Sequence, residues 1–164
     1  MQMYYCHVCG TKLTTQYLKG EGTIPFCPHC DALRFPVYST ATSMIVFNQN
    51  KDKILLIQQH NRNEYILVAG YIDKGENAEE TVKREVFEEL GIEVSELHYN
   101  KSEYFKNSNT LMLNFVCTVS EEDTIDLSPE VDHAKWFSID QAKEKIAKNS
   151  LAQYFLEYYL EKKK

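Results

Sequence analysis

Three carboxylates crowd about one turn of a helix near the middle of this chain, inside the pattern Gly70-x5-Glu76-x7-Arg84-Glu85-x2-Glu88-Glu89-x-Gly91. Asn77, with Glu80 three residues on, reads as the helix N-cap. The apolar Val82, Val86 and Leu90 recur at four-residue spacing until Gly91 can end the helix. This spacing predicts one buried stripe and one acidic face. Glu85 and Glu89 stand four apart and share a face, while Glu88 lies on the adjoining edge. Like charges so placed destabilise a helix unless a cation sits among them, and hard divalent ions such as Mg²⁺ or Mn²⁺ take oxygen ligands of this kind. Such ions bridge to phosphates, offset charge in a transition state and lower the pKa of bound water. Arg84 can pin a carboxylate in its ligating rotamer, and Glu76, in the loop before the helix, can support it from outside. A solvated charged face, with Lys83 and Arg84 as partners, would account for the glutamates alone. It does not account for Gly70, Glu76, Arg84 and Gly91 at their offsets.

The second constraint lies at the N-terminus. Cys6-x2-Cys9, seventeen intervening residues and Cys27-x2-Cys30 have the two-knuckle spacing of a tetrahedral zinc site, each pair offering two thiolates from one tight turn. Gly10 sits where a knuckle turn can use positive φ. The segment is too small and too poor in apolar residues to fold without a cross-link or a metal. Four cysteines leave no open coordination position, so the expected Zn²⁺ is structural. A redox pair and a ribbon that contacts nucleic acid are the competing readings. His7 and His29 are read as bystanders, and Cys117, in an apolar strand pattern, as a small hydrophobe. The opening residues lack the basic and apolar stretches of a signal peptide, which points to the cytoplasm and to metal rather than disulfides.

The 164 residues, 43% hydrophobic, suffice for one packed core of about 120 to 130 residues plus a small appendage. We therefore expect a ribbon over residues 1–35 and a main domain over residues 36–164. Phe35-Pro36-Val37 reads as the linker, because proline fixes its own φ and extends its predecessor. The main domain reads as mixed α/β (α+β). Strands are expected at residues 43–47, 53–57 and 65–69, the last ending at Gly70. After the acidic helix, strands are expected at 97–101, 111–119 and 135–137, then helices capped by Ser138 and Ser150. No run of eighteen apolar residues occurs, so no membrane partner is expected. The net charge of −6 argues against DNA or another extended nucleic acid as partner. Residues 151–160 carry more apolar and aromatic side chains than one helical face needs. That fits either a subunit interface or closure of the chain's own core.

The glycine, arginine and glutamate pattern resembles the Nudix box at every specified position. The resemblance implies the Nudix fold, a mixed sheet sandwiched between helices, and hydrolysis of a nucleoside diphosphate linked to another moiety by metal-assisted attack of water on phosphorus. It also implies Glu85, Glu89 and the main-chain carbonyl of Ala69 as metal ligands, Glu88 as ligand or base, and Arg84, Gly70 and Glu76 as their supports.

A four-cysteine ribbon ahead of a Nudix domain resembles the NADH pyrophosphatase branch, over nearly the whole chain. On that resemblance Phe35 of Phe35-Pro36 helps hold the nucleotide, and Glu130, six residues before Trp136, is an extra metal ligand. Ala152 of Asn149-Ser-Leu-Ala-Gln lines the substrate site, and Tyr71, Ser102 and Phe105 join the candidate substrate contacts. The branch's downstream signature, Ser-Gln-Pro-Trp-Pro-Phe-Pro-x-Ser-Leu-Met, is altered here to Ser102-Glu-Tyr-Phe-Lys-Asn-Ser-Asn-Thr-Leu-Met112. The three prolines and the tryptophan are absent, which predicts a more flexible and more polar pocket edge at Phe105, Lys106 and Asn107. The resemblance thus implies NAD(H)-type dinucleotides, NAD-capped RNA as a further substrate, and a homodimer. ADP-ribose, a nucleotide sugar or a nucleoside triphosphate are rival substrates. A nucleotide-sensing module without turnover is the rival of another class.

Overall fold

The computed structural model describes residues 4–119 and 125–163. The opening Met1-Gln2-Met3, on which the signal-peptide reading partly rests, and Lys164 of the terminal lysines lie outside them. The chain forms two compact units, Met1–Tyr38 and Ser39–Lys164.

The first unit is a three-stranded antiparallel sheet of β1 (Thr14–Leu18), β2 (Gly22–Cys27) and β3 (Ala32–Leu33). Its first knuckle closes with the Gly10 amide donating to the Cys6 carbonyl at 2.8 Å, and Gly10 takes the expected left-handed φ of 73°. Asp31, at φ 51°, occupies the equivalent place after Cys30. Cys6 and Cys27 are the only hydrophobic residues that are buried among the described ones here. Among the described residues of this unit, the cysteine cluster supplies the buried centre.

The second unit is a mixed sheet in the order β7 (Val94–Phe105), β8 (Thr110–Val119), β4 (Ser39–Phe47), β5 (Lys53–Gln59), β9 (Val131–Ser138). The central pair β4 and β8 is parallel. Alternation along the strands divides the apolar residues between two faces. Met44, Val46, Leu55 and Ile57 pack under α1 (Ala78–Leu90) with Val82, Val86 and Leu90. Ile45, Phe47, Ile54 and Leu56 pack on the other face with Ala142 of α2 (Ile139–Lys145) and Phe155 and Leu156 of α3 (Leu151–Lys162). Fully burying one such side chain contributes about 1.5–3 kcal/mol. A buried polar chain also crosses this second interface. Asn100 donates to Asn114 at 2.8 Å and to the Phe155 carbonyl at 3.2 Å, and Asn114 donates to Ser43 Oγ at 2.7 Å, fixing α3 on the sheet.

Two strands depart from expectation. Residues 65 and 66 form only isolated bridges, and the strand that reaches the acidic helix is β6, Val68–Tyr71, which runs through Gly70 instead of ending there. The reason is a shared edge. Val46 and Phe47 pair with β5, whereas residues 41–44 pair with β6, so β4 serves two partners along one side. The second departure is β7. It runs beyond the expected 97–101: Ser102 is paired to Leu113, and Phe105, expected with Lys106 and Asn107 at a flexible edge, is paired to Thr110, so the turn is confined to residues 106–109. No helix among the described residues is long and apolar enough to cross a membrane.

Candidate functional site

The acidic helix is built as its sequence indicates. Asn77 accepts from the Glu80 amide, Glu80 reaches back to the Asn77 amide, and Gly91 ends the helix at φ 70°. Its acidic face, however, is not solvated. Glu89 is 5% exposed and belongs to the buried stripe, and the Glu85 side chain is 13% exposed, while Glu88 stands outside at 57%.

Arg84 organises this face. Its Nε and Nη2 contact the two oxygens of Glu76 at 2.6 and 2.9 Å, Nη1 contacts Glu85 at 2.7 Å and Glu88 at 2.9 Å, and Nη2 also donates to the Tyr71 carbonyl at 3.0 Å. One guanidinium thus ties the loop carboxylate, two helix carboxylates and the end of β6 together. Thr81, not anticipated from the sequence, donates to Glu76 at 2.9 Å. The Arg84 guanidinium holds the Glu76 carboxyl down at about 2, against the opposing effect of burial. Because this lies below the ordinary value of 4.5, the stabilisation is fully present above that pH and is lost as pH falls toward 2. Melting temperatures of Glu76→Gln should therefore fall less steeply than those of the wild type across this acid window.

Gly70 packs directly against Glu85. A Cβ at position 70 would lie 1.9 Å from Glu85 Cδ, so only glycine leaves room for the carboxylate. Gly70→Ala should displace that carboxylate by about an ångström and reduce hydrolysis on the order of 10²-fold. Steady-state kinetics beside a thermal melt would separate this from unfolding.

The Glu89 carboxyl is strongly perturbed. Gln59 at the end of β5 donates to one of its oxygens at 2.8 Å, and the other, Oε2, is buried with no hydrogen-bond partner among the described residues. Burial pushes its carboxyl up to about 7, opposed by Gln59 and aided by the charges of Glu85, Glu130 and Glu88. Burial likewise raises Glu85, with Arg84 opposing. An orphaned buried oxygen among like charges is the environment a divalent cation relieves, so the carboxylates fit one. Among the described residues, the glutamate oxygens do not draw as close together as the cysteine sulfurs do.

Glu130 enters the same cleft, of about 270 Å³, which Glu85, Glu88, Glu89, Ser128 and Pro129 also line. The amides of Asp126 and Ser128 donate to the carbonyls of Leu90 and Glu89 at 2.9 and 3.1 Å, which docks this segment on the helix end. Ala69 and Gly70 lie on β6 beside Ser43 and Thr42 of β4. Tyr71 is exposed and Phe105 is partly exposed at the end of β7. Ala152 packs on the α3-side core. Ser102, Phe105 and Ala152 are thus not gathered at the carboxylate cleft, and Phe35 belongs to the other unit, where it is exposed.

In that unit the sulfurs of Cys6, Cys9, Cys27 and Cys30 all lie within 4.8 Å of one another, with Cys9 and Cys27 at 3.5 Å and Cys6 and Cys30 at 4.0 Å. Zinc–sulfur bonds of about 2.3 Å in a tetrahedron put sulfurs about 3.8 Å apart, so the cluster fits a structural zinc-like ion. Arg34, missed by the sequence reading, donates to Cys6 Sγ at 3.1 Å and offsets the negative charge of a four-thiolate site.

The NUDIX domain family model matches residues 37–158. The chain belongs to the Nudix hydrolase superfamily. Among curated relatives, it is 32% identical over 158 residues to the NAD-capped RNA hydrolase NudC of Pseudomonas aeruginosa strain LESB58, covering 95% of this chain and 55% of that protein. It is 32% identical over 161 residues to the protein of that name from Stutzerimonas stutzeri strain A1501, covering 97% and 56%. The chain therefore spans about half the length of these relatives. Among solved structures it resembles a NUDIX hydrolase from Nitrosomonas europaea (TM-score 0.69, 19% identity, covering 98% of this chain and 92% of that one). It also resembles the NUDIX domain of Shewanella oneidensis NrtR solved with ADP ribose (TM-score 0.65, 16% identity, 85% and 94%). These two likenesses establish the fold.

Proposed function

We propose that the chain is a metal-dependent pyrophosphohydrolase that cleaves NAD(H)-type dinucleotides into two mononucleotides, with NAD-capped RNA as a further substrate. The observation that carries this reading is the buried Glu89, with one oxygen unpartnered, beside Glu85 seated on Gly70. Glu85, Glu89 and the Ala69 carbonyl would hold Mg²⁺ or Mn²⁺, with Glu88 and Glu130 completing the ligand set or, for Glu88, taking a proton from the attacking water. When bound, the ion would neutralise charge on the diphosphate and acidify water. Arg84 keeps Glu85 and Glu88 in place, Glu76 anchors Arg84, and Gln59 orients Glu89. The overall step adds water at one phosphorus and breaks the phosphoanhydride bridge, leaving one phosphate on each product.

The dinucleotide preference is supported by the four-cysteine cluster and by the likeness to the NAD-capped RNA hydrolases of Pseudomonas aeruginosa and Stutzerimonas stutzeri. Tyr71, on the strand that seats Glu85 and with its carbonyl bonded to Arg84, remains a proposed substrate contact. The test is incubation with Mg²⁺ or Mn²⁺ and NADH, NAD⁺, ADP-ribose, dinucleoside polyphosphates or nucleoside triphosphates, with products resolved by chromatography. NADH should give AMP and reduced nicotinamide mononucleotide fastest. Preference for ADP-ribose or a triphosphate would reassign the substrate, and no cleavage of any would refute the enzyme reading.

A further inference from the structure

On the α1 face of the sheet a buried hydroxyl is left without a partner. Thr42 of β4 is fully buried, and its Oγ1 has no hydrogen-bond partner among the described residues. The neighbouring hydroxyl of Ser43, on the opposite face, accepts from Asn114 at 2.7 Å. A buried hydroxyl without a partner costs folding free energy, and valine would fill the same place in a strand without that cost. Burial and strand preference alone therefore do not account for a threonine here.

The surroundings of Thr42 identify an acceptor. Strand alternation puts it on the side of β4 that carries Met44 and Val46, under α1. Its register partners are Gly70 of β6 and Leu113 of β8. Leu113 is apolar and Gly70 has no side chain, so neither offers a side-chain acceptor. The space over Gly70 is filled by Glu85, whose Cδ, Oε1 and Oε2 lie 1.9, 2.0 and 2.3 Å from where a Cβ would stand. The Cβ positions of directly opposite residues in an antiparallel pair are about 4.5–5.5 Å apart. The Glu85 carboxylate thus takes the place of a cross-strand neighbour of Thr42, and the hydroxyl reaches it directly or across one water. Arg84 holds Glu85 through Oε1 at 2.7 Å, which leaves Oε2 to accept.

We propose, on the reading of Glu85 as a metal ligand, that Thr42 is a positioning residue for it. The Thr42 hydroxyl donates to Oε2 and Arg84 donates to Oε1, so the plane of the carboxylate is fixed from both oxygens. Gly70 makes the room and Thr42 sets the orientation within it. Lone pairs on both oxygens remain for a divalent ion.

Calorimetric titration of Mn²⁺ into the zinc-loaded full chain tests this in the wild type, Thr42→Val and Thr42→Ser, beside steady-state hydrolysis of NADH and a thermal melt. Thr42→Val should fold as the wild type does, because methyl for hydroxyl keeps the shape of the side chain. Its Mn²⁺ affinity and its kcat should each fall about tenfold, with KM for NADH little changed. Thr42→Ser keeps the hydroxyl and loses the buried methyl, so it should melt lower yet recover most of the affinity and rate. Packing alone would give the reverse order, with Thr42→Val active and Thr42→Ser impaired, and would overturn the proposal. Wild-type Mn²⁺ affinity in Thr42→Val would overturn it equally. Because the titration uses the metal alone, a chain that binds Mn²⁺ but cleaves no NADH would refute the proposed substrate, and the affinities would still decide the part of Thr42.

Discussion

Glu89→Gln is expected to lower kcat by about 10³-fold or more while leaving the fold intact. A ligand that helps hold a divalent ion contributes several kcal/mol of charge stabilisation in the transition state, and each 1.36 kcal/mol is a factor of ten in rate. The neutral amide is nearly isosteric, so Gln59 keeps a partner and the packing is unchanged. Stability should move the other way. Burial raises the Glu89 carboxyl to about 7 from its ordinary 4.5. In metal-free buffer the Glu89 contribution to stability is therefore fully present below about 4.5 and is lost as pH rises through about 7, by on the order of 3 kcal/mol. Glu89→Gln removes that slope, and divalent metal should suppress it in the wild type. Rates, together with denaturant melts at pH 5 and pH 8 with EDTA, check both. A variant that turns over at the wild-type rate, or that melts with the same pH slope as the wild type, would remove Glu89 from the proposed site.

Loss of metal from the cysteine cluster should unfold the first unit and leave the second folded. Apparent zinc-binding free energies in small ribbons are about 10–16 kcal/mol, far more than this unit's sparse apolar residues supply. Elemental analysis should find one zinc per chain. A strong chelator, or Cys27→Ser, should open residues 4–38 to protease while the unit from Ser39 onward keeps its melting transition. Resistance of that segment without metal would contradict the assignment. Burial opposes ionisation of Cys6, but the Arg34 guanidinium and the hydrogen bonds from the Val8 and Cys9 backbone together outweigh it, bringing that thiol to about 5. Cys30 moves up to about 12, chiefly through its hydrogen bond with Cys9. Thiols that oppose one another's ionisation in so small a volume call for a dication.

The helix with its two caps, the alternating strands and the knuckle glycine were legible in the sequence, because each follows from local spacing. Arg84 and Glu88 were legible as an i, i+4 pair, and the structure pairs them. The burial of Glu89 was not, since a carboxylate at that helical position reads as solvated until the strand carrying Gln59 is known. Gly70 was visible as a fixed offset, but its reason, the seat for Glu85, is a contact between a strand and a helix. The Ser102 to Met112 stretch was legible in part. Loss of prolines predicted a flexible edge at Phe105, Lys106 and Asn107; the same loss frees backbone amides, and Phe105 ends the β7–β8 ladder while the turn takes up residues 106–109.

The amides of Asp126 and Ser128 bond to the last carbonyls of α1, and this has a dynamic consequence. Fraying of the final turn of that helix would release both amides together and loosen the segment that carries Glu130. Hydrogen exchange at these two positions therefore reads the integrity of the carboxylate cleft without substrate or metal, and a ligand held by all four glutamates should slow it at both.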